Sequence, residues 1–271
     1  MKRHESMASG SSGLSVAVLV STGRHSLTGR PGRADQDARA VELALNVENS
    51  HIRLFHAGEP GEECREALRG YLGMGIDSIS LIEQSADADV SAALEEILRE
   101  SKPGLVLTGT QAEQGEGSGL LPYMLAESLG WSLIAGLVSI ESIEGNQATI
   151  LQALPRGQRR RLKVRLPAIA TVDESAARAR QSAFGPAQRG RIDTISHDSS
   201  TDEALAGLSI KAARVRPKRL KIVKSKSARD RFKAAAAKSE GGAGQVLSEV
   251  SAQEGAEAIF KLLQDENVLS I

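Results

Sequence analysis

The chain has 271 residues, with 34 Lys plus Arg against 34 Asp plus Glu, so its formal net charge is zero. That balance excludes a globally basic nucleic-acid binder, and the single cysteine, Cys64, excludes an internal disulfide and any Cys-based zinc or iron–sulfur site. The composition is 41% hydrophobic but only 3% aromatic, so the core rests on Val, Ile, Leu and Ala, a palette suited to a buried parallel sheet.

Residues 1–13, MKRHESMASGSSG, read as a disordered lead without the apolar core of a signal peptide. LSVAVLV (14–20) is a β-branched run of strand length, followed by a loop rich in Gly, Arg and Ser. QDARAVELALNV then sets Ala40, Leu43, Ala44 and Val47 at helical spacing, and HIRLFHAG (51–58) is the second strand. PGEECREALRGYLGMG is a helix with acids in its first turn, as the helix dipole favours, and DSISLIE (77–83) is the third strand. DADVSAALEEILRES is a helix with Asp87 or Asp89 as its N-cap. PGLVLTG (103–109) is the fourth strand, and LLPYMLAESLG is a helix closed by Gly130.

Four strand–helix repeats with short connections predict a doubly wound, mostly parallel sheet. Ligands of such sheets lie at the carboxyl ends of the strands, where the first and fourth loops fall.

After Trp131 the pattern changes. SLIAGLVSIESIEGNQATILQAL alternates like two strands joined at a Gly-Asn turn. RRRLKVRLPAIATVDES reads as a strand pair whose PAIATV re-enters the core. From Ala176 the apolar periodicity fades, and residues 176–244 read as a recognition loop and basic arm. Residues 211–238 hold a single acid, Asp230. Residues 245–271 end in a helix with Ala258, Ile259, Leu262 and Leu263 on one face, expected to dock on a partner or on the core. The α/β nucleotide-binding domain is thus expected over 14–175.

The loop Gly109–Gly119, GTQAEQGEGSG, offers backbone amides and a following helix N-terminus, the makings of an anion site or of a plain surface loop. It lacks the Gly-Lys-Ser/Thr of a P-loop. The five histidines, at 4, 25, 51, 56 and 197, show no metal-ligand spacing, and His25 in the first βα loop reads as a surface residue. Asp87, Asp89, Glu95 and Glu96 read as solvated helix faces, not a paired-carboxylate site. Phe232 stands alone in the basic arm, which therefore lacks the interleaved aromatics that stack bases. Cys64 beside Glu62 and Glu63 is expected to have a raised thiol pKa. No apolar run reaches the ~18 residues of a membrane span. Together with the reduced cysteine, this points to a cytoplasmic chain.

Three segments, in this order, resemble the β subunit of electron transfer flavoproteins. LVLTGTQAEQGEGSGLLPYMLAESLGW (105–131) matches its strand, Gly-x-Gln, acidic Gly loop, helix and Leu-Gly-Trp. CREALRGYLGMGID matches its Ala-rich helix and Met-Gly-Ala-Asp, and RLKVRLPAIATVDES matches its Leu-Pro-Ala-Val strand. The resemblance runs from about Leu14 to Asp173.

It implies a heterodimeric electron carrier without catalytic side chains of its own. The α subunit would hold most of a redox FAD and this chain a structural AMP. Electrons would come from a flavin-dependent dehydrogenase and pass to a downstream quinone-linked oxidoreductase. A minority of relatives carry a second FAD in place of AMP and bifurcate electrons; a non-redox nucleotide-binding regulatory protein is the other alternative. By position, the phosphate cradle would be Gly109, Thr110, Gln111, Gly115, Glu116, Gly117, Ser118 and Gly119. The adenosine side would be Leu19, Ala34, Asp35, Gln36, Asp37 and Ala57. The dehydrogenase anchor would be Phe184, flanked by Arg180 and Arg189 for steering. The chain departs from the family in its first loop, STGRHSLTG, in ADQD for Asn-Pro-Phe-Asp, and in QGEGSG for Asp-Gly-Asp.

Overall fold

The computed structural model describes residues 13–25, 27–85, 88–115, 117–198, 201, 207–209, 211, 227, 229, 247–248 and 250–265. The expected disordered lead except Gly13, nearly all of the basic arm, Asp87 and Glu116 lie outside them. Two compact units divide at Ser209 and Ile210.

The first unit is built on a nine-stranded sheet. Strand β1 (Leu14–Leu19) lies in its interior, with β4 (Ser50–Gly58) and β5 (Ser78–Glu83) to one side and β6 (Leu105–Thr108) to the other. Beyond β6 come β10 (Ala168–Val172) and β7 (Ser132–Glu144), and all these neighbours pair in parallel. β8 (Gln147–Ala153) and β9 (Arg159–Arg165) extend that edge antiparallel. The chain leaves β1 for β4 and β5, then crosses back to β6, so the switch point lies between β1 and β6.

The alternation of β1 explains its interior place. Val16 and Val18 enter one apolar cluster, with α1 (Asp35–Leu45) and α2 (Glu62–Leu72); Ala17 and Leu19 enter the other, with α3 (Val90–Ser101) and α4 (Leu121–Leu129). Helices thus cover both faces, and a strand buried on both faces reads as a near-continuous apolar run, here broken only by Ser15. Asp89 is the N-cap of α3, its carboxylate accepting from the Ser91 amide at 2.8 Å, and Gly130 closes α4 in the left-handed region. PAIATV re-enters the core as β10, buried at all five positions.

Two features depart from the sequence reading. The first βα loop contains a two-stranded hairpin, β2 (Thr22–Arg24) and β3 (Pro31–Arg33). The stretch after Ala176, expected as loop and arm, supplies helix α5 (Phe184–Arg189) and a ninth strand, β11 (Arg191–Ser196), parallel to β5. The first compact unit therefore runs on past 175, to Ser209.

In the second unit the described helix is α6 (Ala252–Asp265). Ser251 and Glu254 form a reciprocal cap: Glu254 accepts from the Ser251 amide at 2.8 Å, and the Glu254 amide donates to Ser251 Oγ at 3.3 Å.

Candidate functional site

The site expected from the sequence lies at the carboxyl ends of β1 and β6. Four segments converge there: Val20–Ser21 after β1, the β2–β3 hairpin, the first turn of α1, and the loop after β6. Tyr71 of α2, fully buried, lies beneath them. Its hydroxyl donates to the Ser21 carbonyl at 2.8 Å and accepts from the Ala34 amide at 2.9 Å. Burial, with the nearby Asp37 carboxyl, pushes the Tyr71 phenol well above its ordinary range, so it remains a donor.

Asp37 is buried in the first turn of α1. One carboxylate oxygen accepts from the Ser21 amide at 2.7 Å and from Ser21 Oγ at 2.5 Å. The other accepts from the Gly109 amide at 2.9 Å. Burial pushes the Asp37 pKa up, and the bonds from Ser21 and Gly109 oppose that shift. Gly109 is required where it stands, because a Cβ there would collide with the Asp37 carboxylate. Gln36 takes the next residue of the loop: its side-chain carbonyl accepts from the Thr110 amide at 3.0 Å and from the Thr110 hydroxyl.

Glu113 completes the closure. One of its oxygens accepts from the Asp35 amide at the start of α1, at 2.7 Å. The neighbouring Gln114 accepts from Arg24 Nε at 3.2 Å, and Arg24 also pairs with Glu63 of α2. The loop after β6 is thereby bonded to the hairpin and to α1 by Gly109, Thr110, Glu113 and Gln114.

The expected residues divide into two groups. Asp35, Gln36, Asp37, Gly109 and Thr110 meet one another directly. The Leu19 side chain lies in the core and Ala57 packs half-buried against the same cluster, while Ala34 presents its amide to Tyr71. Gln111, Gly115, Gly117 and Ser118 are exposed along the loop, and Ser118 Oγ accepts from the Leu120 amide at 3.1 Å. Gly119 has φ +73°, and a Cβ there would lie 2.6 Å from the Thr110 carbonyl. Sequence reasoning missed Ser21, Gly23, Arg24, Tyr71, Glu113 and Gln114, whose partners lie far away in sequence.

Two clefts flank the crevice. One, of about 200 Å³, lies among Thr22, Gly23, Arg24, Glu63, Cys64 and Gln114. Burial is the main cause of a raised Cys64 thiol pKa, and the neighbouring carboxylates expected to raise it are not among the causes. The other cleft, of about 570 Å³, lies between the loop and the ends of β7 and β10, bordered by Thr110, Ser118, Tyr123, Gly136, Gln152 and Asp173. Leu120, Tyr123 and Met124 are exposed beside it. His56 Nδ1 donates to the Val20 carbonyl at 2.8 Å, and burial lowers its pKa. His25 Nδ1 accepts from the Thr28 amide at 3.3 Å within the hairpin turn.

On another face, Phe184 opens α5 and is 80% exposed. Arg189 curls over Gly185 beside it, so that a Cβ at Gly185 would lie 3.2 Å from Arg189 Nη1. Arg180 makes a two-pronged pair with Glu42, at 2.8 and 3.0 Å, and its amide donates to the same carboxylate at 3.1 Å. The Arg180 charge is therefore engaged within the chain. Among the described residues there is no group of three or more His, Cys, Asp or Glu placed to hold a metal ion. No described helix is long and apolar enough to cross a membrane.

Residues 31–200 match the model of the electron transfer flavoprotein domain. The span covers α1, the loop after β6, α5 and β11, while the end of β1 and strand β2 precede it. The chain belongs to the electron transfer flavoprotein family. It is 60% identical over 256 residues, 94% of its length, to the electron transfer flavoprotein subunit beta of Chromohalobacter salexigens, covering 96% of that protein. The β subunits of Bradyrhizobium diazoefficiens and Bacillus subtilis are 28% and 30% identical to it. Each of those two matches spans 51% of this chain and just over half of the relative. Family membership identifies the chain as part of an electron carrier and associates it with flavin.

Proposed function

We propose that this chain is the β subunit of a heterodimeric electron transfer flavoprotein. An α subunit holds most of the redox FAD. Electrons arrive from a flavin-dependent dehydrogenase and leave to a quinone-linked oxidoreductase. The bound flavin supplies the electron chemistry, and this chain shapes the partner surfaces and the donor-recognition site. The observation that carries the reading is identity over nearly the whole length to a β subunit. Exposed Leu120, Tyr123 and Met124 beside the larger cleft support a covered subunit surface. Phe184, with Arg189 folded beside it, supports an anchor for the dehydrogenase.

The resemblance assigns AMP to this chain. In this arrangement the residues do not fit it, because the two walls of the crevice are bonded to each other by Asp37, Gln36 and Glu113. A second FAD, as in bifurcating relatives, would need still more room and meets the same obstacle. The test is a tagged pull-down from native cells with an absorption spectrum of the eluate. One larger partner and an oxidised-flavin spectrum support the carrier. A colourless chain without a partner overturns it, and leaves the regulatory alternative.

A further inference from the structure

The chain's nucleotide crevice carries its own anion. The N-terminus of α1 presents the Asp35 amide, and helix starts attract negative groups through their free amides and dipole. Glu113 already fills that role, its oxygen 2.7 Å from the Asp35 nitrogen. It reaches there from the opposite wall, 78 residues along the chain. We propose that Glu113 is a specificity-determining latch that excludes nucleoside phosphates from the crevice between β1 and β6.

Three observations carry this inference. First, the latch spans the crevice: Glu113 starts on the loop expected to cradle a phosphate and ends on the helix expected to face the adenosine. Both ends would have to part for a nucleotide to lie between them. Second, the seat is shaped for the carboxylate. Gly23 of the hairpin is buried against it, and a Cβ at Gly23 would lie 2.6 Å from Glu113 Oε2 and 2.9 Å from Ala34 Cα. The adjoining Gln114 is held by Arg24, which is itself held by Glu63. Third, amides at the two ends of the loop are engaged within the chain. Gly109 donates to Asp37, Thr110 to Gln36 and Leu120 to Ser118. A phosphate entering here would also approach the exposed Glu113 carboxylate and the buried Asp37 carboxyl, and negative groups at short range repel.

The excluded class is thus the nucleoside mono- and diphosphates, and FAD by its diphosphate. The inference rests on the carrier reading only for the choice of nucleotide to test. The experiment is calorimetric titration of AMP into the purified FAD-loaded heterodimer, in wild type, E113A, E113Q and the distant control E127A. Wild type and E127A are expected to show no saturable binding up to about 1 mM AMP. E113A is expected to bind at least about tenfold more tightly, the scale of one charge-assisted hydrogen bond released. E113Q keeps an acceptor for the Asp35 amide and loses the charge, so it should fall between them. Tight AMP binding by the wild type, or equal behaviour of all four proteins, overturns the latch. If the heterodimer fails to assemble or lacks flavin, the carrier reading falls instead, and the same titration on the isolated full chain still decides the latch. Circular dichroism of E113Q, the more conservative change, separates a folding defect from opening of the crevice.

Discussion

The Tyr71 hydroxyl joins the end of β1 to the start of α1: it donates to the Ser21 carbonyl at 2.8 Å and accepts from the Ala34 amide at 2.9 Å. One side chain from α2 thus fixes the distance between two walls of the crevice. Y71F keeps the ring and removes the partner of the buried Ala34 amide and of the half-buried Ser21 carbonyl. The expected loss is about 1–3 kcal/mol of unfolding free energy, read from a urea midpoint at unchanged slope. An unchanged midpoint would contradict this role.

Asp37 has a similar position on the other side. Its carboxylate accepts from the amides of Ser21 and Gly109, which are donors only. In D37N the new amide group must face one of those donors. The variant should lose about 1–3 kcal/mol and show faster hydrogen exchange at Gly109 and Thr110. Native-like exchange there would show that the loop is held by something else.

Glu42 contributes one pH-dependent part of the stability. Its hydrogen bonds from Arg180 hold its pKa below the ordinary value of 4.5. A folded-state pKa below the unfolded value means that the unfolded chain binds the proton more readily. The stabilisation is therefore complete above the ordinary Glu range and is lost as pH falls through the depressed folded value. R180A removes it, and the wild-type advantage over R180A, about 1 kcal/mol at pH 7, should shrink towards zero on acidification. Denaturant titrations at a series of pH values measure the difference, and a constant gap at every pH would contradict the assignment.

Phe184 is 80% exposed, so F184A should leave stability within about 0.5 kcal/mol. If it anchors the dehydrogenase, dehydrogenase-driven flavin reduction should show KM raised roughly tenfold or more, the scale of a lost interface anchor. Unchanged KM would remove Phe184 from the docking surface. Arg180 is already bound to Glu42, so of the two flanking arginines Arg189 is expected to contribute the larger steering effect.

The sequence made the central sheet legible because β1, β6 and β10 are largely buried on both faces and therefore read as near-continuous apolar runs, broken only by Ser15, Thr108 and Thr171. β11 was not legible for the opposite reason. It is an edge strand, and RIDTIS has only Ile192 and Ile195, which pack on opposite faces of the sheet. The β2–β3 hairpin pairs TGR with PGR, neither of which carries an apolar periodicity. The loop after β6 was readable as a crevice loop from its composition and place. That Glu113 closes the crevice was not, since its partner amide is 78 residues away and no local pattern encodes the meeting.

The most direct measurement is the nucleotide content of the native heterodimer, released by acid and separated by chromatography. A carrier whose crevice is latched by its own carboxylate should yield one FAD and essentially no AMP per heterodimer. One AMP beside the FAD, two FAD, or no flavin at all would each contradict it.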